Sequence, residues 1–425
     1  MTESFLHYLW ENKLFKTDNL ISDTGDAIQI LHPGYYNTNS GPDFFNAQLK
    51  IGNTLWAGNI EIHINSSDWL KHNHQNDPAY DGVLLHVVYY NDVKILRKDS
   101  SIIPTIELKG LFQEQLWGNF LELISKNHWV ACAEELSTVP TNILNNVLEE
   151  KVEERLRFKS HQILISLNGL KGDWEECLYQ YLAKNFGFQI NSLPFEMLAR
   201  SIPLKVLRNE MFDKDNLNSL LYGQAGMMDI EFHDHYPKEL QKKYIYFQSK
   251  YKLKSLPVSY WKYLRMRPVN FPTIRIAQFS ALVSSVNNLF SVCRELRSKE
   301  EFYQLFSTPI HPYWDDHFLF DKPSIPLKKN IGNTSIDNII INTFIPFQFA
   351  WGHFTNEPVV KRNAVDLLRT IHSEKNHLVE KWKEFGVKTK NAADGQALIQ
   401  LKRYHCEEKK CLTCAIGKSI INIQY

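Results

Sequence analysis

Residues 41–69, GPDFFNAQLKIGNTLWAGNIEIHINSSDW, alternate largely as a sheet does, yet they carry an Asp at 43, a Glu at 61 and a His at 63. Side chains two apart on a strand point the same way, so Glu61 and His63 share a face. An Asp entering the neighbouring strand can converge with Glu61 on one hard divalent cation. Mg²⁺ or Mn²⁺ held in this way polarises a phosphodiester. An imidazole of ordinary pKa, about 6.5, suits proton transfer. Asp43 and Glu61 are therefore candidate ion ligands. Taken singly, the same residues also fit a solvated sheet edge, and Pro42-Asp43 after Ser40-Gly41 also reads as a turn.

More candidates follow closely. His63, His72, His74 and His86 fall within 24 residues, alongside Asp68, Asp77 and Asp81, a density from which a zinc or manganese site can be built. His86, inside the apolar run VLLHVVYY, reads as a hydrogen-bonded core residue rather than a ligand. Lys71, His72 and His74 are expected on the substrate side, with Lys50 or Lys71 as sources of positive charge. Near the end of the chain, RYHCEEKKCLTCAIG contains Cys406, Cys411 and Cys414 as C-x4-C-x2-C, three of only six cysteines. Such spacing closes small loops around Zn²⁺ or an iron-sulfur cluster. A fourth ligand is needed, either His405 or, preferably, Cys132.

A third feature concerns binding. Residues 236–267 hold nine Lys or Arg against one Glu, interleaved with eight aromatic residues. Basic groups neutralise phosphates and aromatic faces stack on bases, so nucleic acid is the expected partner and Lys243, Arg265 and Arg267 the expected contacts. Equally, Tyr244, Phe247, Tyr251 and Trp261 fit the buried side of helices whose lysines face water.

The elements that must position these residues follow from rhythm. The chain has 425 residues, 44% hydrophobic and 22% charged, with a net charge of +1; this is the composition of a globular protein of two or three domains rather than a disordered or membrane one. No apolar run reaches the roughly 18 residues of a membrane span, and the acidic start MTESFLHYLWENKLF reads as an amphipathic helix without secretory-signal features. The expected compartment is the cytoplasm, where cysteines serve as thiols or metal ligands. Period-two patterning with turn signals dominates 1–130, period 3.6 dominates 140–310, and a Pro- and Asn-rich loop at 307–334 leads into a last helical segment, giving domains 1–130, 131–310 and 311–425.

The first segment reads helix, three strands, helix, strand: a helix to about Phe15, strands at AIQILHPG, FFNAQLKIG and TLWAGNIEIHI, a helical piece, then VLLHVVYYN. With Pro42-Asp43 and Glu61-Ile62-His63, that order resembles the core of the PD-(D/E)XK nuclease superfamily, His63 standing where the family has Lys. The resemblance implies an α+β fold, a restriction-endonuclease-like αβββαβ core followed by mainly α-helical domains, and metal-dependent cleavage of nucleic acid, with Asp43 and Glu61 holding the ion and Asp43, Glu61 and His63 as the catalytic set, His63 positioning or activating the attacking water. Some members of that superfamily carry a four-cysteine iron-sulfur cluster built from one remote and three C-terminal cysteines; the C-x4-C-x2-C here differs in spacing. Glu107-Leu108-Lys109 matches the end of the motif better, but no Pro-Asp precedes it by one strand. Over nearly the whole chain, GPDF, EIH, YGQAGMM (222–228), RMRPVNFPTIRIAQ and the terminal cysteines resemble an uncharacterised bacterial family known only as a domain of unknown function. The expected function is thus a metal-dependent nuclease or nucleic-acid phosphodiesterase. The alternative is a non-catalytic scaffold binding nucleic acid or protein that kept the fold after losing the Lys.

Overall fold

Seven strands within the first 107 residues pair into one mixed sheet in the computed structural model, which describes residues 1–422. The strands are β1 (Leu20–Ile21), β2 (Ala27–His32), β3 (Tyr35–Tyr36), β4 (Phe44–Ile51), β5 (Thr54–Asn65), β6 (Val83–Tyr90) and β7 (Thr105–Glu107). Their order is β1-β2-β4-β5-β6-β7, with β3 beside β4. β1 to β5 pair antiparallel, whereas β6 runs parallel to β5 and β7 parallel to β6. The β4–β5 hairpin closes through Gly52-Asn53, with Gly52 at φ 57°, a backbone that costs glycine little.

A parallel neighbour needs a crossover rather than a hairpin. Residues 66–82 make it through α2 (Asp68–Lys71) and two short 3-10 turns, His74–Asn76 and Pro78–Tyr80. α1 (Glu3–Glu11) starts at the N-cap Thr2, whose side chain accepts from the Phe5 amide. It buries Phe5, Leu6, Tyr8, Leu9 and Trp10 in the core formed with Phe44, Leu49, Ile60, Ile62, Leu85 and Val87 of the sheet. α3 (Glu114–Ser125) adds Leu116, Phe120 and Leu123 to that core. The chain's last described helix, Ala415–Asn422, returns to it: Tyr8 donates to Asn422 Oδ1 at 3.0 Å, and Asn119 Nδ2 to the Ile421 carbonyl at 3.0 Å.

The three segments drawn from rhythm and the compact units divide the chain at different places. One unit comprises residues 1–147 together with the chain from Leu401 onward; the other is 148–400. Periodicity registers the type of an element, not its packing partner, so the helical C-terminal segment reads from sequence as a continuation of the helices before it. The second unit is helical apart from a two-stranded ribbon, His317–Leu319 with Lys322–Pro323. No single helix among the described residues is long and apolar enough to cross a membrane.

Leu49, on β4, is fully buried, and the neighbouring Lys50 is exposed. Leu49→Ala is expected to lower unfolding free energy by about 2–5 kcal/mol, and Lys50→Ala by no more than about 0.5 kcal/mol. Urea titrations of the two variants check this; equal costs would contradict the packing of β4 described above.

Candidate metal centre

The β4–β5 register pairs Phe44 with Ile60, which sets Asp43 opposite Glu61. Directly opposed residues share a face. The two are also tied together by the backbone: the Asp43 amide donates to Glu61 Oε2 at 3.2 Å, and the Ile62 amide donates to Asp43 Oδ2 at 2.9 Å. Glu61 is buried, and that burial, followed by the nearby Asp43 carboxylate, raises its pKa well above the ordinary carboxylate range. A carboxyl so placed is satisfied either by a proton or by a cation.

Imidazoles surround it. His63 Nε2 lies 3.6 Å and His74 Nε2 3.3 Å from Glu61 Oε1. His63 Nε2 is 3.1 Å from His72 Nδ1, and His63 Nδ1 is 2.9 Å from His86 Nε2. Burial, then the neighbouring imidazoles, pushes His63 down to about 2, and burial takes His86 down to about 3, so both rings are neutral. A neutral His63 that donates from Nδ1 to His86 presents the Nε2 lone pair to the cleft, as metal-ligating histidines do. The ligand atoms of His63, His72 and His74 lie within 4.8 Å of one another. His63 is buried, His74 half-buried and His72 exposed, so the group opens to solvent on one side.

Local sequence explains how His72 and His74 reach the same point. α2 ends at His72, and Asn73 adopts a left-handed backbone, φ 63°, which Asn tolerates better than most residues. That residue reverses the chain, so that His74 also meets Glu61 and stacks on Tyr80 at 3.8 Å. The crossover is pinned upstream by Asp92, which accepts from the Ser66 and Ser67 hydroxyls at 2.8 and 2.7 Å.

α1 contributes residues that the sequence reading did not select. His7 Nε2 stands 3.2 Å from Asp43 Oδ2, and Glu3 lies close enough to Asp43, His7 and His72 to feel their charges. The i, i+4 spacing of Glu3 and His7 was the available signal. The Nε2 atoms of His7 and His74 are buried and, despite these approaches, make no aligned hydrogen bond. Beside His74 a pocket of about 220 Å³ is lined by residues including Trp69, Tyr80, Arg97 and Lys98.

Other expectations stand differently. His72 and His74, expected on the substrate side, lie with His63 in a group that could hold a metal ion, and His74 Nε2 also approaches Glu61 Oε1 at 3.3 Å. Lys71 is exposed and paired with Asp68 at 2.6 Å, while Lys50 sits exposed toward the far end of β4 from Asp43, so neither lysine stands in the Glu61–His63 cluster. His86 is a hydrogen-bonded buried residue that supports His63. Glu107 accepts from the Asn91 amide at 2.8 Å and Lys109 lies over the Tyr90 ring at 4.4 Å, which engages the competing motif elsewhere on the sheet. Cys132 is an electrostatic neighbour of Cys406, Cys411 and Cys414 within the first unit. Lys243, Arg265 and Arg267 belong to the second unit. Lys243 pairs with Asp213; Arg265 and Arg267 are exposed. Tyr244, Phe247 and Trp261 are buried, so their faces cannot stack on bases.

A family model described as a protein of unknown function (DUF2851) matches residues 3–377. The chain belongs to that family. The DUF2851 match includes Asp43, Glu61 and all the clustered histidines, and ends before Cys406. No curated protein and no solved structure matches the chain.

Because Glu61 keeps its proton when folded and loses it when unfolded, between its ordinary and its raised pKa the native state binds more protons, and stability of the metal-free protein falls as pH rises. One such group costs about 1.4 kcal/mol per pH unit over that window. Glu61→Gln removes the cost, so in the presence of a chelator this variant is expected to be more stable than the parent at pH 8, with the difference gone near pH 4. Thermal melts at the two pH values check it; a variant less stable at both would contradict the burial of a protonated carboxyl.

Proposed function

We propose that the first unit is a metal-dependent nuclease or nucleic-acid phosphodiesterase domain. The observation that carries this reading is the opposition of Asp43 and Glu61 across β4 and β5, with three imidazole ligand atoms gathered on the same side. The element order gives partial support: α1, antiparallel strands through β5, a crossover through α2, then β6 parallel to β5, where the PD-(D/E)XK resemblance implies three strands before the crossover and this chain has five. Fold likeness alone is a weak warrant for activity, so the weight rests on the site.

The donor set departs from what Mg²⁺ prefers. Oxygen ligands suit Mg²⁺, whereas mixed imidazole and carboxylate suit Mn²⁺ or Zn²⁺. Glu61, His63, His72 and His74 would hold the ion, with Asp43 at its edge. A bound cation of this class supplies Lewis-acid polarisation of a phosphoryl oxygen and a more acidic water. Asp43 orients the site through the Ile62 amide, and His7 Nε2 stands beside it at 3.2 Å. His86 Nε2, 2.9 Å from His63 Nδ1, holds the His63 ring in its orientation. Arg97 and Lys98 line the pocket together with Asp81 and Asp99, and Lys98 pairs with Asp81 at 3.5 Å, so the pocket rim supplies no excess positive charge for a phosphate backbone. In the second unit, Arg265 and Arg267, with Lys243, remain the groups proposed to meet phosphates.

Cleavage of single- and double-stranded DNA and RNA is expected in Mn²⁺ or Zn²⁺, weaker in Mg²⁺ and absent with chelator. Asp43→Ala, Glu61→Ala and His74→Ala are each expected to lose at least about 100-fold in rate. Binding without cleavage, unaffected by chelator or by these substitutions, would favour the scaffold alternative and end the enzymatic reading.

A further inference from the structure

Two of the six cysteines behave as hydrophobes: Cys177 and Cys293 are wholly buried in the helical unit, apart from the other four. The other four sit together in the first unit, only partly buried, and none forms a disulfide. They come from two segments far apart in the chain, the turn after α3 and the C-terminal loop. We propose that Cys132, Cys406, Cys411 and Cys414 form a four-thiolate site for an iron-sulfur cluster that fastens the C-terminal segment to the first unit.

The neighbouring contacts fix the two segments against each other. Lys409 Nζ donates to the Ile124 carbonyl at 2.7 Å, Lys402 Nζ lies 5.2 Å from the Trp129 ring, and Leu412 shares a core with Ala131. Cys132 and Cys411 pack against that same core. The loop that carries three of the thiols is tightly wound, with the Lys409 amide donating to the Cys406 carbonyl at 3.2 Å and the Cys414 amide to the Cys411 carbonyl at 3.3 Å. Its lid is the last helix: a Cβ at Gly417 would lie 2.2 Å from the Cys411 carbonyl oxygen, so only glycine lets that helix close over the loop.

Spacing separates a cluster from a single ion. Four sulfurs around zinc, at about 2.3 Å each, stand roughly 3.8 Å apart. Among the described residues, mutual approach of three ligand atoms within 4.8 Å is met by His63, His72 and His74 and not by the thiols. A cluster of several irons and sulfides is larger than one ion and holds its thiolates farther apart. The site makes no use of the carboxylate and histidine centre, so the two readings stand or fall separately.

The test is elemental and spectroscopic. Full-length protein purified without oxygen is expected to hold about four iron and four sulfide per chain and to show broad visible absorption that bleaches on reduction. Cys132→Ser and Cys411→Ser are expected to lose at least half of the iron, while Cys177→Ser keeps it. Alkylation of the unaltered protein in its native state covers the case in which the variants fail to fold: the four thiols should react only after the iron is removed. Zinc at one per chain without iron and sulfide would overturn the cluster, and four freely alkylated thiols in metal-free native protein would overturn the site.

Discussion

A carboxyl group buried in the middle of a sheet is the constraint on which the rest of the first unit turns. Glu61 sits on β5 with fully buried Ile60 and nearly buried Ile62 beside it in sequence, where an isolated charge would be costly. Every element nearby answers that cost: Asp43 donates its amide across the hairpin, His74 arrives from the crossover, and His63 stands two residues along the same strand. None of these partners is a fixed positive charge. The neutral imidazoles and the second carboxylate leave a concentration of lone pairs, an arrangement stable with a proton present and better satisfied by a divalent cation.

The need to gather donors around Glu61 also explains departures from simple sheet geometry. The β4–β5 pairing shifts register between Phe44 and Ala47, with Asn46 at φ 55°. Such a bulge re-aims the strand end that delivers Asp43. Asn73, also left-handed, does the same for the crossover. Both strained positions lie within a few residues of a donor, which fits the tendency of backbone strain to gather at functional sites.

Much of this unit was legible in the residues themselves. The strand holding Glu61 and His63 is 12 residues long, Thr54–Asn65, and its alternation located it. The short hairpin with its two-residue turn was legible, but its register alone would set Asp43 opposite Ile62; the shift between Phe44 and Ala47, which the sequence does not announce, brings it opposite Glu61. His7 escaped because it lies on an amphipathic helix where a polar position reads as solvent-facing; only packing shows that this side of α1 meets Asp43. His72 and His74 were visible as a pair, but their role depends on the backbone sign at Asn73, which periodicity does not carry. In the second unit, the aromatic residues between the lysines proved to be core at Tyr244, Phe247 and Trp261, since a helix with one buried face and a charged opposite face has the same composition as a nucleic-acid groove. The return of the C-terminal segment to the first unit was signalled only by the expectation that Cys132 would join Cys406, Cys411 and Cys414.

The central claim is that Glu61 and the three imidazoles hold one ion. Anomalous scattering from crystals grown with Mn²⁺, recorded on both sides of the manganese absorption edge, locates such an ion directly. The account predicts a single strong peak about 2.0–2.6 Å from Glu61 Oε1 and His74 Nε2. A map with no peak there, in crystals whose Glu61, His63, His72 and His74 side chains are ordered, would contradict it.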